Sequence, residues 1–157
     1  MTARITDVAT GTIMRTIKHQ DYVWAVSFSP DGKHLATGSA DMTARITDIA
    51  TGIIMRTIKH QDVVTSVSFS SDGRQLATGS RDKTARITDV VTGATVQTIK
   101  HQDTVTKVSF SPDGKQLATG SWDKTARITD IATGTITRTI QHLHMVLSVC
   151  FSPNGRY

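Results

Sequence analysis

The sequence predicts an all-β protein built from repeated four-stranded antiparallel sheets, and two observations support this prediction. The hexapeptide TARITD occurs four times, beginning at Thr2, Thr43, Thr84 and Thr125, which gives a period of 41 residues. Each period also contains four short runs rich in β-branched or aromatic residues, separated by turn residues. Self-similarity at such a period is typical of arrays in which one small unit is stacked on the next.

The period divides the chain into three full units and two partial units. The full units are residues 19–59, 60–100 and 101–141. The flanking segments, 1–18 and 142–157, align with the end and the beginning of further units. The array therefore occupies all 157 residues and amounts to about 3.8 units.

The first two strands of a unit are joined by a hairpin turn. In the unit 19–59, the first strand is predicted in the run YVWAVSF, which is too short and too rich in β-branched residues for a globular helix. It ends at Ser29-Pro30-Asp31-Gly32, where proline presets the first turn position and glycine accepts the left-handed conformation. The second strand is predicted from His34 to Ser39.

The third and fourth strands follow after two further turns. The third strand is predicted from Thr43 to Asp48, where Ala44 and Ile46 share one face. A turn at residues 51–52 leads into a fourth strand from Ile53 to Ile58. A sheet of this kind has two apolar faces that neighbouring units must cover, so four strands in a period near 41 residues predict the blades of a β-propeller.

These motifs resemble the WD-repeat family of β-propellers over essentially the whole chain. His19 stands where the family has the histidine of its Gly-His pair, residues 29–32 match the first hairpin turn, residues 35–39 match the second strand, and Asp41 with TARITD matches the third. Two departures recur in every unit. Lys18, Lys59, Lys100 and Gln141 replace the usual glycine, and Thr6, Thr47, Thr88 and Thr129 replace the tryptophan that gives the family its name.

Each full unit carries a histidine, a hydroxyl and a carboxylate that could be mistaken for a hydrolase triad. The sets are His19, Thr37 and Asp41; His60, Thr78 and Asp82; and His101, Thr119 and Asp123. Catalysis needs one pocket with oxyanion donors, and there is little reason to build it identically in every unit. The resemblance implies that these groups form a buried structural hydrogen-bond network instead. We therefore predict no catalytic residues, no enzyme activity and no cofactor.

No metal site is predicted. His34 stands alone, and the pair His142 and His144 lacks further ligands in its neighbourhood of the sequence.

Function is predicted where the units differ from one another. In the family, the start of the first strand, the position two residues later and the residue before the turn aspartate lie on the top face, where proteins and peptides commonly dock. Both tryptophans and one tyrosine occupy these positions, whereas all four phenylalanines keep one repeated position suited to the core. Exposed aromatic and arginine residues dominate binding hot spots. The predicted partner-binding residues are Tyr22, Trp24, Arg81 and Trp122.

The array begins at a third strand and ends after a first strand, with Tyr157 aligned to His34. About four wedge-shaped blades should subtend only half a circle, leaving apolar faces and strand edges open. We therefore expect a half-ring that closes to an eight-bladed ring as a two-fold homodimer. The second strand of each shared blade is missing: it is absent from this sequence, or the chain is a fragment of a longer array, or that blade has three strands.

Composition narrows the classes of partner. The net charge is +5, yet the three full units carry 0, +1 and +1, and this even spread argues against nucleic-acid binding. No apolar run approaches the roughly 20 residues of a membrane span, and the repeat begins at Met1, so we expect a cytoplasmic protein.

Cys150 aligns with Ser27, Ser68 and Ser109 and is predicted to be a small buried residue.

The leading prediction is a non-enzymatic scaffold that binds a protein or peptide. The alternatives are a purely architectural fragment of a longer propeller or of the sensor array of a signalling protein, and an amplified or designed repeat protein without a specific ligand. The variation between units would then mark positions of lax packing.

Overall fold

A computed structural model describes residues 1–156, so Tyr157 and its predicted alignment with His34 lie outside the described residues. That part of the chain contains fourteen strands and no helix, and hence no helix that could span a membrane. The strands are β1 (Thr2–Thr6), β2 (Ile13–Lys18), β3 (Val23–Phe28), β4 (His34–Ser39), β5 (Thr43–Asp48), β6 (Ile54–Lys59), β7 (Val64–Phe69), β8 (Gln75–Ser80), β9 (Thr84–Asp89), β10 (Thr95–Lys100), β11 (Val105–Phe110), β12 (Gln116–Ser121), β13 (Thr125–Asp130) and β14 (Ile136–Gln141).

The strands form four antiparallel sheets in chain order. Strands β3–β6, β7–β10 and β11–β14 are the four-stranded first, second and third blades, and β1 and β2 form a two-stranded N-terminal hairpin. The prediction of an all-β chain made of blade-like four-stranded sheets is therefore confirmed. Residues 142–156 follow the third blade and are called the C-terminal segment.

The turn between the second and third strands needs an unusual backbone conformation. Its last residue before the third strand has a positive φ in each blade although it is not glycine: 64° at Met42 and 68° at Lys83 and Lys124. The turn between the third and fourth strands uses glycine, as at Gly52 (φ 77°), whose N–H donates to the carbonyl of Asp48 at 2.8 Å.

Apolar side chains pack between neighbouring blades. The cluster between the first and second blades contains Ala44 and Ile46 from one blade and Val67, Phe69 and Leu76 from the next. The second strand approaches this cluster closely, because a Cβ built on Gly38 would lie 2.8 Å from Val64 Cγ1. Glycine at this position is therefore a requirement of the packing between blades.

The C-terminal segment differs from the prediction. The first strand expected there does not form within residues 142–156, because the described chain supplies no second strand to pair with it. The segment still lies against the third blade: the Val146 N–H donates to the Ser121 carbonyl at 3.0 Å, and Val146 is buried. The prediction that Cys150 is buried is wrong, since its thiol belongs to this unpaired segment and is exposed.

The expectation that all four phenylalanines lie in the core is also wrong. Phe69 and Phe110 are buried, but Phe28 is exposed. Its place in the sheet is the same, and the difference lies in what precedes it. The N-terminal hairpin offers the first blade only two strands to pack against, whereas the second and third blades each have a full sheet in front of them.

Candidate functional site

The histidine, threonine and aspartate of each full unit lie within hydrogen-bonding distance of one another. In the second blade, His60 Nδ1 is 2.8 Å from Asp82 Oδ2, and His60 Nε2 is 2.8 Å from Thr78 Oγ1. The first blade repeats these distances as 2.8 and 2.7 Å and the third as 2.9 and 2.8 Å. An ionised carboxylate only accepts, so Nδ1 carries the proton and Nε2 accepts from the hydroxyl.

The aspartate is held in its ionised form by several donors. Burial would raise the pKa of Asp82, but the Thr84 hydroxyl at 2.6 Å, the Gln61 N–H at 3.1 Å and the His60 ring lower it to about 2. The guanidinium of Arg86 lies 3.4 Å from the same carboxylate. Asp41 and Asp123 have the same environment, and their pKa values are also lowered.

An arginine of the third strand also belongs to this network. Arg86 Nη1 donates to the carbonyl of Lys59, the last residue of the preceding blade, at 2.9 Å. Arg45 and Arg127 make the same bond to Lys18 and Lys100 at 2.7 Å. The network thus ties one blade to its neighbour. Our sequence reasoning did not find these arginines, although their repetition in every TARITD could have pointed to them.

The network has no free group for acid–base chemistry. Both ring nitrogens of His60 are bonded inside it, the imidazole is buried, and burial lowers the pKa of His60 below its usual range. A general base must reach a substrate proton directly or through one water. Each of the three sets therefore forms a hydrogen-bonded network with both ring nitrogens of its histidine engaged.

In the three full blades, a threonine stands at the position of the family's tryptophan. Thr47, Thr88 and Thr129 are buried, and their Oγ1 atoms have no hydrogen-bond partner among the described residues. Each of the three full blades therefore contains a buried threonine hydroxyl without a hydrogen-bond partner among the described residues.

The positions at which the units differ lie together at one end of each blade. Arg81 donates its backbone N–H to the carbonyl of Val63 at 2.9 Å, and Trp122 donates to Thr104 at 3.0 Å. In the first blade, Ala40 donates to Tyr22 at 2.8 Å. The residue before the turn aspartate therefore neighbours the start of the first strand, at the end that carries the histidine–aspartate pair.

Two of the four predicted binding residues are in contact. The guanidinium carbon of Arg81 lies 5.6 Å from the centre of the Trp24 ring, across the border between the first and second blades. Both side chains are exposed, as are those of Tyr22 and Trp122. Among the described residues, neither Tyr22 nor Trp122 makes a ring contact with this pair.

The variable position of Trp24 has a structural role in the other two blades. Thr65 Oγ1 lies 3.0 Å from the carbonyl oxygen of Gly79 in its own blade and 2.5 Å from that of Val105 in the next blade, and its single hydroxyl hydrogen is shared between these two acceptors. Thr106 makes the equivalent bonds to Gly120 and Val146 at 3.0 and 2.6 Å. Trp24 has no hydroxyl for such bonds. Variation between units at this position therefore changes packing as well as surface.

A groove opens at the opposite end of the blades, between the N-terminal hairpin and the first blade. It is lined by Met14, Arg15, Lys33, Ile49 and Ala50 among others. Arg15 already fills part of it, because its guanidinium donates to the carbonyls of Ile49 and Ala50. In residues 1–156 we find no group of three or more His, Cys, Asp or Glu side chains that could hold a metal ion.

Comparison with known proteins gives one family match. A family model described as "WD domain, G-beta repeat" matches residues 11–48, 52–89 and 93–130, which together make up well over half of the chain. Each matched segment starts before a fourth strand and ends at the aspartate of the next third strand. No curated protein matches the sequence significantly.

Proposed function

Because this chain belongs to the WD-repeat family, whose members generally mediate protein–protein interactions and are typically non-enzymatic scaffolds, we propose that it binds a protein or peptide through its top face. The proposed contact surface, called the top-face patch, consists of Tyr22, Trp24, Arg81 and Trp122. All four side chains are exposed, and they occupy positions where the repeated units differ.

The observation that supports this patch best is the pairing of Trp24 with Arg81. Stacking on an indole at 5.6 Å restrains the guanidinium, and such contacts contribute about 0.5–1 kcal/mol at exposed sites. A restrained guanidinium loses less entropy when it binds, and its planar fork of donors matches a carboxylate. The pair therefore suits a peptide or loop that offers an acidic side chain next to an apolar one.

A binding selection with matched variants tests this proposal. We would select peptides on the full chain from a displayed library and then measure their affinity for Trp24→Ala with Trp122→Ala and for Arg81→Ala. The control is Val91→Ala, which truncates an exposed apolar residue in a distant turn of the second blade. The proposal predicts at least about tenfold weaker binding to the patch variants only. Equal affinity for all variants would refute it.

We further propose that two copies close an eight-bladed ring, with the N-terminal hairpin of one copy beside the C-terminal segment of the other. The C-terminal segment supports closure, because residues 142–156 form no strand of their own. A well-folded monomer of 17.0 kDa in light scattering would refute the dimer.

We also propose a cytoplasmic location, which the exposed free thiol of Cys150 supports.

The second candidate is a purely architectural array. The contacts of the Thr65 hydroxyl with the next blade and of the Thr106 hydroxyl with the C-terminal segment support it, because a variable position would then serve packing. In that case the library selection would yield no peptide whose binding depends on Trp24 or Arg81.

A further inference from the structure

The N-terminal hairpin presents a strand edge that is paired in every full blade. Strand β1 pairs only with β2, whereas its counterpart β5 pairs with β6 on one side and with β4 on the other. The register of that second pairing places Leu35 opposite Thr47 and Gly38 opposite Ala44. By the repeat, the same partners would lie opposite Thr6 and Ala3.

An uncovered apolar wall stands beside this edge. The side chains of Val26 and Phe28 are 56% and 55% exposed, whereas their counterparts Val67 and Phe69 in the second blade are 3% and 8% exposed. In the second blade these residues pack against the preceding blade, together with Ala36 of its second strand. A peptide strand can be added where unpaired backbone groups of a sheet edge lie beside an exposed apolar surface.

The chain itself shows which residues such a strand needs. Ala36 and Gly38 alternate on the face of β4 that meets the next blade. At Gly38 a Cβ would lie 2.8 Å from Val64 Cγ1 and 3.2 Å from Val67 Cγ1, which is too close for any larger side chain. The counterparts of these valines are Val23 and Val26, so an added strand needs glycine opposite them.

We propose that the edge of β1, with Val26 and Phe28, is a slot for an extended peptide that lies antiparallel to β1 and carries the pattern Ala-x-Gly. The second strands of this protein, with the sequence Leu-Ala-Thr-Gly-Ser, have this pattern. The slot is separate from the top-face patch. The proposed dimer does not fill it, because the C-terminal segment aligns with a first strand and not with a second.

The test uses an octapeptide with the sequence of residues 74–81, RQLATGSR, labelled with fluorescein and titrated with the full chain. We expect saturable 1:1 binding in fluorescence anisotropy and slower hydrogen exchange in residues 2–8, where the new strand would pair. The matched peptide carries the change Gly79→Val. Its Cβ and methyl groups would collide with Val23 and Val26, so it should bind at least about tenfold more weakly.

Two variants of the protein locate the binding. Val26→Lys places a charge on the wall of the slot and should weaken binding of the octapeptide at least about tenfold. Val91→Lys makes the same change at another exposed valine, in the second blade, and should leave binding unchanged. Circular dichroism checks that both variants fold.

Three results would overturn the proposal. They are equal affinity for the two peptides, full binding to Val26→Lys, and no binding at concentrations up to about 1 mM, which would be weaker than a specific strand-binding site should give. If a second copy fills the slot instead, the octapeptide will not bind and Val26→Lys will weaken self-association of the chain. Neither outcome depends on Trp24 or Arg81, so this test is independent of the top-face patch.

Discussion

Replacing Thr88 with valine should stabilise the protein by about 1–2 kcal/mol. The Thr88 side chain is 1% exposed, and its Oγ1 has no hydrogen-bond partner among the described residues. Burying a hydroxyl without a partner costs roughly 1–3 kcal/mol in protein mutational data. Valine has nearly the same shape and suits a strand equally well, so the change removes this cost without opening a cavity.

Thr78→Val is the matched control with the opposite expected sign. Thr78 lies on the neighbouring strand and is 0% exposed, but its hydroxyl is 2.8 Å from His60 Nε2. Its removal leaves a buried ring nitrogen without a donor and should destabilise the protein by about 1–3 kcal/mol. The assay is the midpoint of urea unfolding followed by circular dichroism. In thermal unfolding, 1 kcal/mol corresponds to roughly 2–4 °C for a chain of this length.

The other two full blades allow the effect predicted for Thr88→Val to be measured again at equivalent residues. Thr47 and Thr129 are the equivalent residues in the other blades, so valine at all three positions should give about three times the effect of one, because distant sites add. If Thr88→Val lowers the urea midpoint as Thr78→Val does, the Thr88 hydroxyl has a partner in solution and is not a source of instability.

Four further outcomes are expected from the packing, the backbone and the buried ionisable groups. Gly79→Ala should lower the free energy of unfolding by about 1–3 kcal/mol, and the urea midpoint with it, because the new Cβ would lie 3.0 Å from Val105 Cγ1. An unchanged midpoint would contradict this packing. Lys83→Gly should raise the melting temperature by the equivalent of about 0.5–1 kcal/mol, since φ is 68° there, and a lower melting temperature would show that the turn is not strained. The urea midpoint should fall between pH 7.5 and 5.5, because burial lowers the pKa of His60 below the 6.5 of the unfolded chain, which therefore takes up protons first. It should fall again between pH 4 and 2, because the pKa of Asp82 is about 2 when folded and 3.8 when unfolded; a midpoint that rises on acidification would refute this account.

The strands could be predicted well because each is a run of β-branched or aromatic residues bounded by turn residues in the sequence itself. The bounds His34–Ser39 and Thr43–Asp48 agree with the structure, and the fourth strand begins one residue later than predicted, at Ile54. The family resemblance is confirmed by the matched segments. Burial was predicted less well at Phe28 and Cys150, because burial depends on what the neighbouring sheet supplies and not on the residue itself.

The candidate site was only partly accessible to sequence reasoning. The recurrence of His60, Thr78 and Asp82 could be read from the repeat, but the contact of Arg86 with a carbonyl of the preceding blade depends on how blades stack. The variation between units at the position of Thr65 suggested that this residue lies on the surface. In the structure, the Thr65 hydroxyl contacts two backbone carbonyls. Whether the top-face patch binds a partner stays a prediction, because one sequence contains no record of the other molecule.

The replacement of threonine by Trp24 has a consequence for how the molecule opens. The borders after the second and third blades are each spanned by a threonine hydroxyl, but the border between the first and second blades has instead an exposed indole stacked on Arg81. The guanidinium of Arg56 donates to the carbonyl of Val91 across this border, so opening it breaks that bond and the stacking contact instead of a threonine hydrogen bond. A partner that contacts both Trp24 and Arg81 would bridge the same border, and its binding energy would be added directly to the cost of opening it.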